Sequence, residues 1–271
     1  MHHTSLAYVT AYQFYAINKA KTAQERTNFL RTFQRVLEER IPHDLDVKID
    51  DLEFRLDNRI KITLIGPNKD ECQFVSRILQ ELTGRVIDAN NIPKNTPLIG
   101  QLTSIGSVGF GVFVDIGIEG PSKEVLIPLF RLRQQLVGND KLSTKEIIHL
   151  YGLMNHLPVE LEVTKLTYEK KGKPKVEGQF SENFLVKIRQ MVEEGWDTIF
   201  TTGVSRQMIK KTLAKRGHTI DIMQIDRLGP MEAAVRCKSG TTAAGLIAHI
   251  GKFLPNCRMT VFNPERVAKY W

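Results

Sequence analysis

The chain has 271 residues, 42% of them apolar, with 38 Lys plus Arg against 30 Asp plus Glu and a formal charge of +8. No run approaches the roughly 18 consecutive apolar residues of a membrane-spanning helix, which excludes an integral helical membrane protein. Cys72, Cys237 and Cys257 form no C-x-x-C pair, against a disulfide framework or zinc knuckle, and Met1 to Ser5 show no export signal, so the cytoplasm is expected.

In residues 1–94, Leu6 to Phe14 is apolar and aromatic enough for a strand. Thr22 and Glu25 have capping-box spacing ahead of Phe29, Leu30, Phe33, Val36 and Leu37, a helical stripe that ends before Pro42. Extended segments are predicted at 45–49 and 60–65. Asn68 then caps a second helix, with Cys72, Val75, Ile78, Leu79 and Leu82 on one face and Gly84 at its end, before a short strand at 85–88. The order β-α-β-β-α-β predicts a ferredoxin-like α+β unit, a fold that hosts many functions.

Asn90 to Pro97 is rich in turn formers, and beyond it the periodicity changes to two-residue alternation. Residues 95–180 are read as a second domain with strands at 98–105, 109–118, 124–129, 159–166 and 175–180. Five short strands, with a helix capped by Ser143 or Thr144 between the third and fourth, predict an OB-like barrel. Residues 181–271 begin with an amphipathic connector helix bearing Phe184, Leu185, Ile188, Met191 and Val192. They then repeat the first order: strand 198–201, helix 205–216, strands 220–226 and 232–237, helix 241–253, strand 258–262. The fold class expected is therefore multidomain α+β, a central five-stranded OB-like barrel between two ferredoxin-like units.

The segment Gly100 to Gly117, containing Gly109-Phe110-Gly111-Val112-Phe113-Val114, followed by Glu124-Val125-Leu126-Ile127-Pro128-Leu129, resembles the S-one-type RNA-binding domain of a ribosomal protein and of polynucleotide phosphorylase. The resemblance implies that Phe110 and Phe113 are platforms on which unpaired bases stack; the competing reading makes one of them core. Three residues apart in a regular strand, the two would face opposite sides, and a bulge at Gly109 or Gly111 would bring them to one surface. The histidine that the family places on its third strand falls on Pro128, which has no donor. Arg131 and Arg133, just beyond, are candidates for phosphate or base contacts, or are solvated loop residues. Taken whole, with Arg227-Leu228-Gly229 and Cys237-Lys238-Ser239-Gly240-Thr241, the chain resembles an uncharacterised archaeal family of unknown function with such a central barrel.

Residues 165–175 hold five lysines, Lys165, Lys170, Lys171, Lys173 and Lys175, around Tyr168, in the position of an OB hairpin loop that contacts nucleic acid; a mobile polar hairpin is the alternative. In the helix after Ser205, Arg206, Lys210, Lys211 and Lys215 occupy one half of the wheel, and Met208, Ile209, Thr212 and Leu213 the other. Amides behind Gly203 are a further candidate for phosphate. Charge follows the same division. Residues 1–94 hold 14 basic and 13 acidic side chains, residues 95–180 hold 10 and 9, and residues 181–271 hold 14 and 8. An acidic partner would use the surplus of the last third; a solvated face without a partner is the other reading.

Lys238 to Gly245 is not a phosphate loop, because its lysine precedes the glycines. The seven histidines form no H-E-x-x-H, and neither a metal nor a small-molecule cofactor is expected. The function expected is a non-enzymatic RNA-binding protein of the ribosome or of the translation or transcription machinery. Its partners would be ribosomal or other structured RNA, with ribosomal or RNA polymerase proteins. The alternatives are a protein-interaction scaffold with a purely structural barrel, and an RNA-modifying enzyme with dispersed catalytic residues.

Overall fold

The computed structural model describes residues 5–10, 20, 22–119, 124–168 and 174–271. The first unit contains β1 (Ser5–Thr10), α1 (Ala23–Glu38), β2 (Lys48–Phe54), β3 (Ile60–Gly66) and α2 (Lys69–Thr83). Residues 11–14 of the first predicted strand lie outside the described residues. Thr22 and Glu25 close the capping box of α1, the hydroxyl taking the Glu25 N–H at 3.1 Å and the carboxylate the Thr22 N–H at 3.0 Å. Asn68 caps α2, and Gly84 in positive φ ends it. Both helices lay their apolar stripes on the sheet: Phe29, Phe33 and Leu37 from α1, and Cys72, Val75 and Leu79 from α2, share a core with Ile60, Ile62 and Leu64.

The sheet of this unit is antiparallel in the order β1-β3-β2. β2 runs later than the predicted 45–49, because the alternation of Asp51, Leu52, Glu53 and Phe54 continues beyond an irregularity between Ile49 and Asp51. The fourth strand, β4 (Ile87–Asp88), does not join the sheet. It pairs in parallel with β7 (Ile118–Glu119) of the next unit, so the two units share a short two-stranded ribbon. Arg59 reinforces this junction, its Nη2 reaching both carboxylate oxygens of Asp115 (2.8 and 2.9 Å), both side chains being largely buried.

The second unit is a closed five-stranded barrel of β5 (Pro97–Thr103), β6 (Gly111–Asp115), β8 (Val125–Pro128), β9 (Pro158–Tyr168) and β10 (Pro174–Phe180), in the order β10-β8-β6-β5-β9. Every pairing is antiparallel except β8 with β10. Alternation sends Val112, Val114, Val125, Ile127, Leu161 and Val163 inward and leaves Phe113 and Leu126 on the outside. The single strand expected over 109–118 breaks after Asp115, whose carboxylate accepts the Gly117 N–H at 2.8 Å, with Gly117 in positive φ.

Two helices, not one, fill the connection between β8 and β9: α3 (Leu129–Leu136) and α4 (Thr144–Leu150). Of the two caps proposed for α4, the structure uses Ser143, which with Glu146 forms a capping box. Leu132, Leu136 and Ile147 insert into the barrel core, and Tyr151 donates its buried hydroxyl to the Leu136 carbonyl.

The third unit comprises α5 (Glu182–Glu194), β11 (Thr198–Thr202), α6 (Arg206–Lys215), β12 (Ile222–Arg227), β13 (Glu232–Cys237), α7 (Ala243–Ile250), β14 (Arg258–Phe262) and α8 (Pro264–Ala268). Its four-stranded sheet is antiparallel in the order β12-β13-β11-β14. One face carries α6 and α7 over Ile199, Val235 and Ile225. The other sends Phe200, Ala234 and Phe262 into the core of the barrel. The central strand β11 is consequently buried along its whole length. Among the described residues no helix is long and apolar enough to cross a membrane.

Candidate nucleic-acid interface

The register across the barrel places a row of outward side chains on one surface: Thr103 opposite Phe113, Phe113 opposite Leu126, Leu126 level with Glu177, and Glu177 opposite Lys165. Glu177 lies between two ammonium groups, Lys165 at 4.0 Å and Lys175 at 3.8 Å. Both lysines are well exposed, and such contacts hold little energy in solvent, so neither charge is locked away from a ligand.

Phe110 stands beside Phe113 of this row. It is 57% exposed, and its ring meets that of Phe113 edge to face, with centroids 6.2 Å apart and planes at 89°. The two aromatics therefore share a surface, although not through the strand bulge expected from sequence. Phe110 lies before β6, in a loop whose carbonyls are held from behind: Thr144 Oγ1 donates to Gly109 at 2.6 Å and the Leu129 N–H donates to Phe110 at 2.8 Å. Gly111 permits this entry. A Cβ there would lie 2.3 Å from the Ile127 carbonyl oxygen, so only glycine allows β6 to approach β8 so closely.

Pro128 pairs with Gly111 and leads directly into α3, supplying no side-chain cap to it. The arginines expected in a loop therefore sit on a helix. Arg133 is committed to structure, its Nε donating to the Leu142 carbonyl at 2.8 Å. Arg131 is partly exposed, bonds Gln134 at 2.9 Å and lies 5.3 Å over the ring of Phe130. Phe130, 59% exposed and one residue after the Leu129 N–H that holds Phe110, was not singled out by sequence reasoning. The spacing of Leu129, Leu132 and Leu136 was the signal for the helix that presents it. Lys170, Lys171 and Lys173 lie outside the described residues, as does the side chain of Tyr168.

On the third unit, Ser205 caps α6, accepting the Met208 N–H at 3.3 Å. Ile209, Thr212 and Leu213 are buried, and Lys210, Lys211 and Lys215 are exposed. Met208 departs from the expected packing face and is 48% exposed. The basic face is split. Arg206 and Lys210 border a groove of about 540 Å³ against β12, while Lys211 and Lys215 belong to the exposed side of the helix. The amides behind Gly203 are not free, since the Gly203 and Val204 N–H groups both donate to the Met231 carbonyl. α7 is capped by Thr242, whose hydroxyl accepts the Gly245 N–H at 3.2 Å.

Glu232 on β13 is fully buried, on the same side of the sheet as Ala234, which faces the barrel. Desolvation pushes its carboxyl up to about 8 against the pull of the Met231 N–H, which it accepts at 3.1 Å. Burial likewise raises the Cys237 thiol to about 11 and the Cys257 thiol to about 12, which makes both poor nucleophiles.

Two family profiles match the chain: the DUF2110 central domain over residues 93–192 and the DUF2110 C-terminal domain over residues 196–262. The first spans the barrel with α5, the second the four-stranded sheet with its two helices. No curated protein matches the sequence.

Proposed function

The chain belongs to the DUF2110 family, and from its surface we propose that it is a non-enzymatic RNA-binding protein with an S-one-type OB barrel. The observation that carries this reading is the edge-to-face pair of Phe110 and Phe113 on the outside of a closed barrel, in a row that ends in lysines. Exposed rings cost solvation unless something covers them, and bases stack on aromatic faces whatever their sequence. The strand order with one parallel closure between β8 and β10 supports the OB reading. The order β12-β13-β11-β14 supports a ferredoxin-like third unit, and the first unit is the same fold with its fourth strand diverted to the barrel. Lys210, Lys211 and Lys215, with partly buried Arg206, attract phosphate. In this reading the protein works in the archaeal cytoplasm on ribosomal or other structured RNA, beside ribosomal or RNA polymerase proteins.

The test is a titration of wild type and Phe110→Ala with a labelled oligoribonucleotide at several salt concentrations. Affinity that falls steeply with salt, and falls further in Phe110→Ala than in any single lysine variant, supports the reading. Binding indifferent to both salt and Phe110 overturns it.

One observation favours a second reading, a protein-interaction scaffold. β12 is an edge strand, and Ile220 and Met223 beside it are 75% and 52% exposed. A complex that resists ribonuclease and is lost in Ile220→Asp would select it.

A further inference from the structure

The turn after α6 and the last turn of α7 bring together three side chains that the RNA reading does not use. Gly217, in positive φ, reverses the chain after α6, and the His218 N–H donates to the Leu213 carbonyl at 2.9 Å, which fixes the imidazole beside the helix end. The Nδ1 of His218 stands 2.7 Å from Asp221 Oδ2. Asp221 is itself held, its carbonyl accepting the Lys238 N–H at 2.8 Å. Bonded in this way, Nδ1 carries the proton and the lone pair of His218 lies on Nε2. That Nε2 is 3.3 Å from Nδ1 of His249, an exposed side chain 31 positions further along the chain.

We propose that His218 and His249 are the two protein ligands of a late first-row divalent cation, zinc or its neighbours. Zn–N bonds of about 2.0–2.1 Å at a tetrahedral angle separate two ligating nitrogens by about 3.3–3.4 Å, and these two nitrogens already stand at 3.3 Å. Asp221 is not a ligand. It is the carboxylate that orients a metal-bound histidine and raises its basicity. On binding, the proton of His249 resides on Nε2 and Nδ1 coordinates. Among the described residues no third His, Cys, Asp or Glu completes a protein-only shell, so water fills the remaining positions, which the exposure of His249 allows. Imidazole ligation favours zinc, nickel and copper over magnesium or calcium. The ion clamps the end of α6 to α7 across the same sheet face, and this inference stands independently of the RNA reading.

The test uses the full chain in a His2→Ala/His3→Ala background, which removes the paired histidines near the start as a competing chelator. Zinc titrated by calorimetry is expected to bind at one equivalent with micromolar affinity and to raise the melting temperature. Cobalt(II) at the same site is expected to give a visible absorption band. His249→Ala, a change on the surface, abolishes both signals while the metal-free melting temperature stays unchanged. Asp221→Asn weakens affinity about tenfold or more. Stoichiometry and affinity unaltered in His249→Ala, or the lack of any binding below millimolar free zinc, overturns the proposal.

Discussion

The barrel face and helix α6 are both candidate RNA surfaces, and they are built in opposite ways. The barrel domain is nearly neutral and offers rings fixed from behind: Phe110 through the Leu129 N–H on its own carbonyl and the Thr144 hydroxyl on that of Gly109, and Phe113 by strand register. The helix offers charge on long, mobile side chains above a sheet that contains a buried carboxyl. A rigid aromatic platform loses little entropy on contact and gives short-range affinity. A lysine cluster gives long-range attraction that salt screens. The difference teaches that stacking and steering can be assigned to separate domains and tested separately.

The largest expected effect tests how pH treats the two regions. Glu232 holds a proton up to about pH 8 in the folded state and only to about 4.5 when unfolded. Between those values the folded state binds more protons, so stability is greatest at the acid end. It falls by roughly 1.4 kcal/mol per pH unit until about pH 8. Glu232→Gln is expected to flatten this slope in thermal melts from pH 5 to pH 8, and hydrogen exchange is expected to place the alkaline loosening in the third unit. A slope that survives the substitution removes Glu232 as the cause.

Gly111→Ala sharpens the comparison from the barrel side. With its Cβ aimed at the Ile127 carbonyl, the variant is expected to lose about 2–3 kcal/mol in denaturant melts, because β6 must move away from β8. Its RNA affinity is expected to fall as the rings shift. A variant with unchanged stability would show that the entry to β6 is looser than the geometry indicates.

Phe110→Ala is expected to weaken oligoribonucleotide binding by about 1–3 kcal/mol with the salt slope unchanged. Lys211→Gln/Lys215→Gln is expected to do the converse, lowering the slope of log K against log salt by about 1.4 with a modest loss of affinity. If both variants altered slope and affinity alike, the separation of stacking from steering would be lost.

Much of the architecture was legible because local rules and tertiary packing agree in it. The capping boxes at Thr22 and Ser143, the stripes of α1, α2 and α5, and the alternation of the barrel strands each satisfy their own hydrogen bonds and bury their own apolar side. α3 escaped notice because Pro128 offers no side-chain cap and the helix is only eight residues long. Met208 shares a half-wheel with Ile209, Thr212 and Leu213 yet stays exposed, because the packing arc of α6 is narrower than half a turn.

Sequence by itself determined the mixed α+β character, a five-stranded middle and the positions of the aromatics and lysines, because periodicity and turn chemistry are local properties. Tertiary structure alone decided where the fourth strand of the first unit goes, which surface Phe110 and Phe113 share, and that His218 meets His249. Each of these depends on strand register or on contacts between segments far apart in the chain, and short-range residue preferences do not encode such distances.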